Sequence, residues 1–477
     1  MSQRTEFFDD RGVAVLPSYT STGKALPSPS NRLAQLVQHL GPVCEQAVDP
    51  QQIAAALEAH GYNDRMVLER FGYPNVFELA EALFRMVPRK ATPAKRRVYR
   101  VSSTLRDLSH GLFYGMPGLF YPAVFAWAGA QEATLGLILS AILGWSWSQG
   151  MIRLAYVLMG RGFAAEARLM LRAMMFVGLG LAALVPFAIR GSLELVALVV
   201  LQMAYHLASG VLLLYKRELW LLLATLPAVL SGLLFLLTPD LLGATTTALV
   251  MMISVMLSLL AALITTRAKA THSPWRVLQR ADWLDTLPLV LYGFLSAVFV
   301  FINPFWNWIT NTPVAAGLAV VPLVLSMGGL EWQLRVFLER MSLLLASTND
   351  LGVFARNVNR IFLTVLASYG MLLLALSLLA LYFFQLEDSQ VQILLIANFL
   401  LGLGFFVAFT LTSMNRTLRV LLGMLLALTL YVVTFALSLQ GLLPLGGHLS
   451  YLLGCGMFAI YMIVVALPVL RELRNYQ

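Results

Sequence analysis

Charge is what this chain has least of. Only 12% of its 477 residues are Asp, Glu, Lys or Arg, where soluble domains carry about 25%. Against that, 59% are hydrophobic and the mean hydropathy is +0.77, a balance that leaves too little polar surface to cover a water-soluble fold. Cysteine is nearly absent too. Cys44 stands in a polar segment and Cys455 inside an apolar run, so no disulfide is expected. The six histidines have no His-Glu-x-x-His spacing, no nucleotide-binding loop occurs, and no serine, histidine and acid fall at one membrane depth. No catalytic residue, cofactor or metal is therefore expected, which makes an enzyme the weaker class. The opening MSQRTEFFDDRG has neither the apolar core nor the small-residue cleavage site of a signal peptide.

What the chain does have is long apolar runs. From about residue 109 onward, stretches long enough to cross a hydrocarbon core of about 30 Å follow one another with short breaks. Lipid offers the backbone no hydrogen-bond partner, so each run is expected to be a helix. Twelve spans are expected, at 109–129, 134–158, 172–189, 194–214, 219–238, 242–265, 286–306, 313–333, 361–384, 391–412, 418–438 and 449–470. The basic residues support that count. Fourteen of the 33 lysines and arginines lie at or before Arg106, and most of the rest fall in alternate loops, at Arg161 and Arg168, Lys216 and Arg217, Arg267 to Arg280, Arg340 to Arg360, Arg416 and Arg419, and Arg471 and Arg474. Basic residues beside spans favour the cytoplasm. The expectation is a multi-pass protein of the bacterial inner membrane with both termini cytoplasmic; Arg190 alone breaks the pattern.

The net charge of +9 does not point to nucleic acid. The run Arg89, Lys90, Lys95, Arg96, Arg97 and Arg100 sits just before the first span and reads as a contact with anionic membrane lipid. Residues 1–30 are rich in Ser, Pro, Thr and Gly and read as a disordered tail. Between 31 and 87 the pattern predicts a small helical cytoplasmic segment. Asp49 and Pro50 start a helix that Gly61 ends, Asn63 starts a second that ends at Gly72, and Asn75 starts a third through Phe84. A core of that size is marginal alone. Cys44, His39 and His60 are scattered and form no constellation.

The expected domains are then 1–30, 31–87, a basic linker 88–106, a first six-helix half 107–266, a basic linker 267–285, and a second half 286–477. The halves echo each other. The second helix of each reaches the cytoplasmic face carrying an arginine, Arg153 and Arg335, and pairs four residues apart, Arg168 with Arg172 and Arg356 with Arg360, open the third. Lys216 with Arg217 and Arg416 with Arg419 mark the turn after the fourth. An even number of spans per half keeps orientation, so the halves are expected to be related by an axis along the membrane normal.

Twelve helices in two parallel halves resemble the multidrug, oligosaccharidyl-lipid and polysaccharide flippase superfamily. The stretch VVPLVLSMGGLEWQLRVFLERMSLLLASTNDLGVFARNVNRIF, with Pro322, Glu331, Phe337, Glu339 and Arg340, is similar in pattern to the membrane exporter of Pel-type exopolysaccharide systems. The resemblance implies a flippase or exporter of polysaccharide or lipid-linked oligosaccharide that works by alternating access. The first span, GLFYGMPGLFYPAVFAWAGA, has no acidic residue of the kind a cation-coupled drug exporter of that group would use. The first outer loop holds only Glu132, short of the acidic set of lipid-sugar glycosyltransferases.

Charges inside hydrocarbon are costly, so the few present nominate the substrate site. Arg153, with Gln149 one turn before it, and Glu331 with Arg335 one turn after it, are the expected cavity residues; snorkelling to the headgroups is the bland alternative. Two arginines from opposite halves suit an anionic glycan or diphosphate, because guanidinium presents a planar fork of donors. His206, in a cluster with Gln202 and Tyr205, and Asn398 complete the set. The aromatics around Trp306 and Trp308 read as an interfacial belt. Two rivals remain: a membrane scaffold that recruits a cytoplasmic glycosyltransferase through residues 31–87, and a polytopic enzyme of glycan assembly.

Overall fold

Side chains that cap helix ends build the N-terminal segment, and they do so where short-range chemistry places them. The computed structural model describes residues 29–47, 49–87, 113, 115, 118, 121–310, 315–348 and 351–472. The chain divides into two compact units, residues 1–94 with 345–353, and residues 95–344 with 354–477. In the first, α2 (Pro50–Ala59) begins where the Asp49 carboxylate accepts from the backbone N–H groups of Gln51 and Gln52. Likewise α3 (Asp64–Phe71) is capped by Asn63 and ends at a left-handed Gly72, and α4 (Val76–Met86) is capped by Asn75. All three were expected. A fourth helix, α1 (Pro29–Gln46), was not expected, and it runs through Gly41 and Pro42, a pair that argues locally against helix. It contributes Leu36, Leu40 and Cys44, four residues apart, to a core completed by Ile53, Leu57, Val67, Leu79 and Leu83. Burial pushes the Cys44 thiol above the ordinary range, which leaves it a packing residue.

The tail before Pro29 and the basic run at 89–100 lie outside the described residues. The membrane unit then runs α5 (Tyr121–Ala128), α6 (Ala130–Gly160), α7 (Ala164–Ala188), α8 (Leu193–Leu214), α9 (Glu218–Leu237), α10 (Pro239–Thr265), the short α11 (Pro274–Val277) and α12 (Arg280–Thr310). It continues with α13 (Ala315–Leu318), α14 (Val321–Leu325), α15 (Met327–Ser347), α16 (Leu351–Phe384), α17 (Ser389–Ser413), α18 (Thr417–Leu439) and α19 (Gly446–Val469). No strand occurs among the described residues, as lipid demands.

Among the described residues, ten helices are long and apolar enough to cross a membrane: α6 to α10, α12, and α16 to α19. They match ten of the twelve expected spans. Of the first expected span, at 109–129, only the end is described as a helix, as α5. The eighth differs. It is broken into α13, α14 and the start of α15, with turns at Ala319 and Val320 and a further break at Ser326. Pro322 opens α14, where its missing N–H costs nothing, and Asn398 and Tyr369 take up groups at the breaks.

The first run of helices encloses its own core, in which Met151, Leu154, Met170, Leu171, Met203 and Leu207 are buried. Its second helix, α6, also packs along α12. A Cβ on Gly293 of α12 would lie 2.7 Å from the Trp145 carbonyl oxygen, and one on Gly150 of α6 would lie 2.9 Å from Val290. Glycine is thus what lets these two backbones approach.

Candidate functional site

Three features of the membrane unit bear on function: a cavity, an ion-paired turn at the far end of α6, and a polar node in the second run. The cavity holds about 240 Å³ and is walled by α5, α6, α8 and α10. Tyr121 and Trp127 face it from α5, Gly136 from α6, Leu198 and Gln202 from α8, and Thr245 and Met252 from α10. All four helices approach it near one end. Gly243 adopts φ 68° and ψ 158° just before Thr245, a left-handed kink that glycine adopts without a Cβ clash. The lining is apolar except for the Gln202 amide, Thr245 and the tips of Tyr121 and Trp127, so it suits a hydrocarbon portion with a few hydrogen-bonding groups.

At the other end of α6 the chain is tied to the linker before α12. Arg161, in the turn after α6, donates from Nη1 to Asp282 Oδ2 at 2.7 Å and from Nη2 to Oδ1 at 2.6 Å. This fork-to-fork geometry is the strongest an arginine makes. Asp282, in the first turn of α12, is 7% exposed and also accepts from the Gln279 N–H at 2.8 Å. The carboxylate holds the Arg161 guanidinium even further above neutrality than usual. Buried Glu166, near the start of α7, accepts from the His272 N–H at 3.2 Å, and Phe163 meets the His272 ring edge-on. The linker 267–285 is therefore pinned to the α6–α7 turn at two carboxylates. Arg161 was expected only to mark topology, and Asp282 and Glu166 were not expected at all. Their partners lie over 100 residues away in sequence, so no local pattern signals them.

The expected site residues fall into separate places. Arg153 is half-buried on α6 and adds its charge to the field at Asp282. Gln149, one turn earlier, is exposed. Glu331 and Arg335 are half-buried on α15, each with interactions of its own, and between them Gln333 donates to the Ser368 hydroxyl at 2.8 Å. His206 packs against α6 at Gly144, where a Cβ would lie 2.7 Å from the ring. Its neighbour Tyr205 donates to the Phe113 carbonyl at 2.6 Å.

Asn398 is buried and donates to the Ala319 carbonyl at 3.0 Å, supplying the group freed where the eighth span breaks. Tyr451 donates to the Phe299 carbonyl at 2.9 Å and approaches Asn398 Oδ1 at 3.4 Å, so the node joins α12, α17 and α19. None of the six expected site residues lines the cavity. Gln202, grouped with His206 in the sequence, does. Trp306, expected in an interfacial belt, meets Phe435 edge-on at 4.8 Å. Among the described residues, no three His, Cys, Asp or Glu converge as a metal site would require.

No protein-family model matches the chain, and no curated protein matches it. Solved structures do. An outward-facing multidrug resistance MATE family transporter of the MOP superfamily is 15% identical with a TM-score of 0.50, over 78% of this chain and 95% of that one. The MATE transporter ClbM in complex with Rb+ is 13% identical with a TM-score of 0.49, over 81% and 98%. A MOP superfamily transporter from Pyrococcus furiosus is 14% identical with a TM-score of 0.43, over 77% and 96%. At 15% identity the first likeness establishes the fold: the helical order of the membrane unit is similar to that of a MATE transporter over nearly the whole of that structure.

Proposed function

We propose that this protein is a membrane transporter that carries an amphipathic, lipid-linked glycan across the bacterial inner membrane by alternating access. The observation that carries this reading is the pairing of a cavity at one end of α6, α8 and α10 with the Arg161–Asp282 tie at the other end of α6. A cavity accessible at one end while the opposite end is clamped is what one side of an alternating cycle requires. By the distribution of lysine and arginine, the clamped end is cytoplasmic.

A volume of about 240 Å³ is too small for an oligosaccharide and suits a segment of hydrocarbon. In this reading the cavity takes part of the lipid carrier. Arg153 and Arg335, whose guanidinium forks match phosphate, handle the diphosphate or acidic sugar at another stage of the cycle. Polysaccharide in place of a lipid-linked oligosaccharide would leave the apolar cavity without a role.

The test fills the cavity and removes the cations separately. Ala248, on the cavity wall, is changed to Trp, and Arg153 and Arg335 are each changed to Gln; surface glycan and membrane protein level are measured in the same cells. Export in Ala248→Trp is expected to fall at least about tenfold at normal protein level, since the indole occupies the space of the substrate. Each arginine variant is expected to fall comparably, with Lys restoring part. Normal export in all three variants would sink the reading.

A further inference from the structure

At the basic end of α7 and α8, two buried polar groups lie against each other with no acceptor for either proton. The guanidinium of Arg168 lies over the ring of Tyr215, 5.4 Å from its centre. The Arg168 Nε and the Tyr215 hydroxyl are both buried and neither makes a well-formed hydrogen bond; the guanidinium acts on the hydroxyl oxygen, which leaves the Nε hydrogen and the hydroxyl proton without an acceptor. Such groups are paired in nearly all folded proteins, so an acceptor belongs between them. Four cations stand around them. Arg172 stands one turn along α7 on the same face as Arg168, and Lys216 and Arg217 follow Tyr215 directly; among the described residues no carboxylate forms an ion pair with any of the four.

The equivalent turn in the second run of helices is different. Arg416 donates to Glu472 at 2.5 Å, so there the chain supplies its own anion. In the first run no ion pair to these cations forms among the described residues. Beside the cations the surface turns apolar: Trp220, with Arg217 over its ring at 5.5 Å, is 41% exposed, and Leu219 is 64% exposed. Stacked arginine and exposed indole and leucine at the end of an apolar helix are the pattern of a bilayer interface, where a phosphate meets the cations and acyl chains meet the apolar residues.

We infer that Arg168, Arg172, Tyr215, Lys216, Arg217 and Trp220 form a binding site for the phosphate headgroup of an anionic phospholipid in the bilayer leaflet at the basic end of the helices. The phosphate oxygen accepts from Arg168 Nε and the Tyr215 hydroxyl, Lys216 and Arg217 balance the headgroup's charge, and Trp220 and Leu219 border the chains. The site is separate from the cavity and does not depend on what the protein transports.

The test uses the full-length protein, released from nanodiscs of mixed phosphatidylglycerol and phosphatidylcholine, with retained lipid counted by native mass spectrometry. Wild type is expected to retain phosphatidylglycerol over phosphatidylcholine by about tenfold or more, because each basic group near the headgroup adds to the preference. Arg168→Gln and Arg217→Gln are each expected to lose most of it, Arg168→Lys to keep part, and Tyr215→Phe to weaken it less. Arg419→Gln, at the equivalent turn of the second run, is expected to retain lipid as wild type does. Equal retention of both lipids by wild type overturns the inference, as does an equal loss in Arg419→Gln, which would mark diffuse charge. Displacement by soluble glycerol phosphate at the same concentration also overturns it, since the ligand would then be a free phosphate. Each variant is checked for an unchanged melting temperature in phosphatidylcholine alone. If Arg168→Gln fails that check, Arg168→Lys and Tyr215→Phe decide the matter.

Discussion

Gln202 and Asn398 stand at the same step of the fourth span in each expected half, both nine residues past the start of their helices. Gln202 faces a cavity. Asn398 is buried against the carbonyl of Ala319, and around it the second run is filled: Tyr369 shares a hydrogen bond with Ser326 at 2.9 Å and stacks on Phe406. The contrast traces to the broken eighth span. A helix interrupted in the membrane frees backbone groups that must be paired inside the protein, and the polar residues of the second run are taken up in pairing them. The first run has an unbroken α6 at the corresponding place, so its polar residue is left for something else. The same asymmetry recurs at the basic turns, where Arg416 has Glu472 and Arg217 has an aromatic ring.

The largest expected effect breaks the contact that joins the two runs. Gly293→Leu places a side chain against the backbone of Trp145 and Ser146, which cannot move aside as a side chain end can. Overpacking there is expected to cost about 3 kcal/mol or more, and the measurable outcome is loss of monodisperse protein on size exclusion after detergent extraction. Gly150→Ala, opposite a single methyl group of Val290 and not backbone, is expected to be milder in the same assay.

A paired comparison sharpens the contrast at the fourth span. Asn398→Ala leaves the Ala319 carbonyl without its donor inside the protein, a loss of about 1–3 kcal/mol that should appear as a lower melting temperature. Gln202→Ala removes a group on a cavity wall and is expected to leave the melting temperature within error. If both variants melt alike, the two fourth spans do not differ in the way described.

The smallest effect belongs to the basic turn. Arg416 and Glu472 are partly exposed, with side chains 24% and 33% accessible, so Arg416→Gln is expected to cost about 1 kcal/mol at most. Repeating the melt at high salt should shrink the difference further, since screening weakens such a pair. A large loss that salt does not change would mean that Arg416 has a packing role beyond its ion pair.

What the sequence determined by itself was whatever depends on neighbours along the chain. The apolar runs that became ten long helices were legible because length and hydrophobicity alone decide whether a helix spans lipid. The starts at Asp49, Asn63 and Asn75 were legible because a cap acts on N–H groups two or three residues away. Helix α1 was missed for the converse reason: its Gly41-Pro42 pair argues against helix locally, and only burial of Leu40 and Cys44 on the rest of the small core overrides it. At the candidate site, charge nominated Arg153 and polarity within an apolar run nominated Asn398, but neither told what they meet. That Asn398 reaches Ala319, 79 residues back, that Arg161 forks onto Asp282, 121 residues on, and that Gln202 rather than His206 lines the cavity were decided by the tertiary structure alone. Each depends on which faces of distant helices come together, and an almost uniformly apolar helix carries little periodicity to fix that; close packing at glycines such as Gly293 and Gly150 fixes it instead.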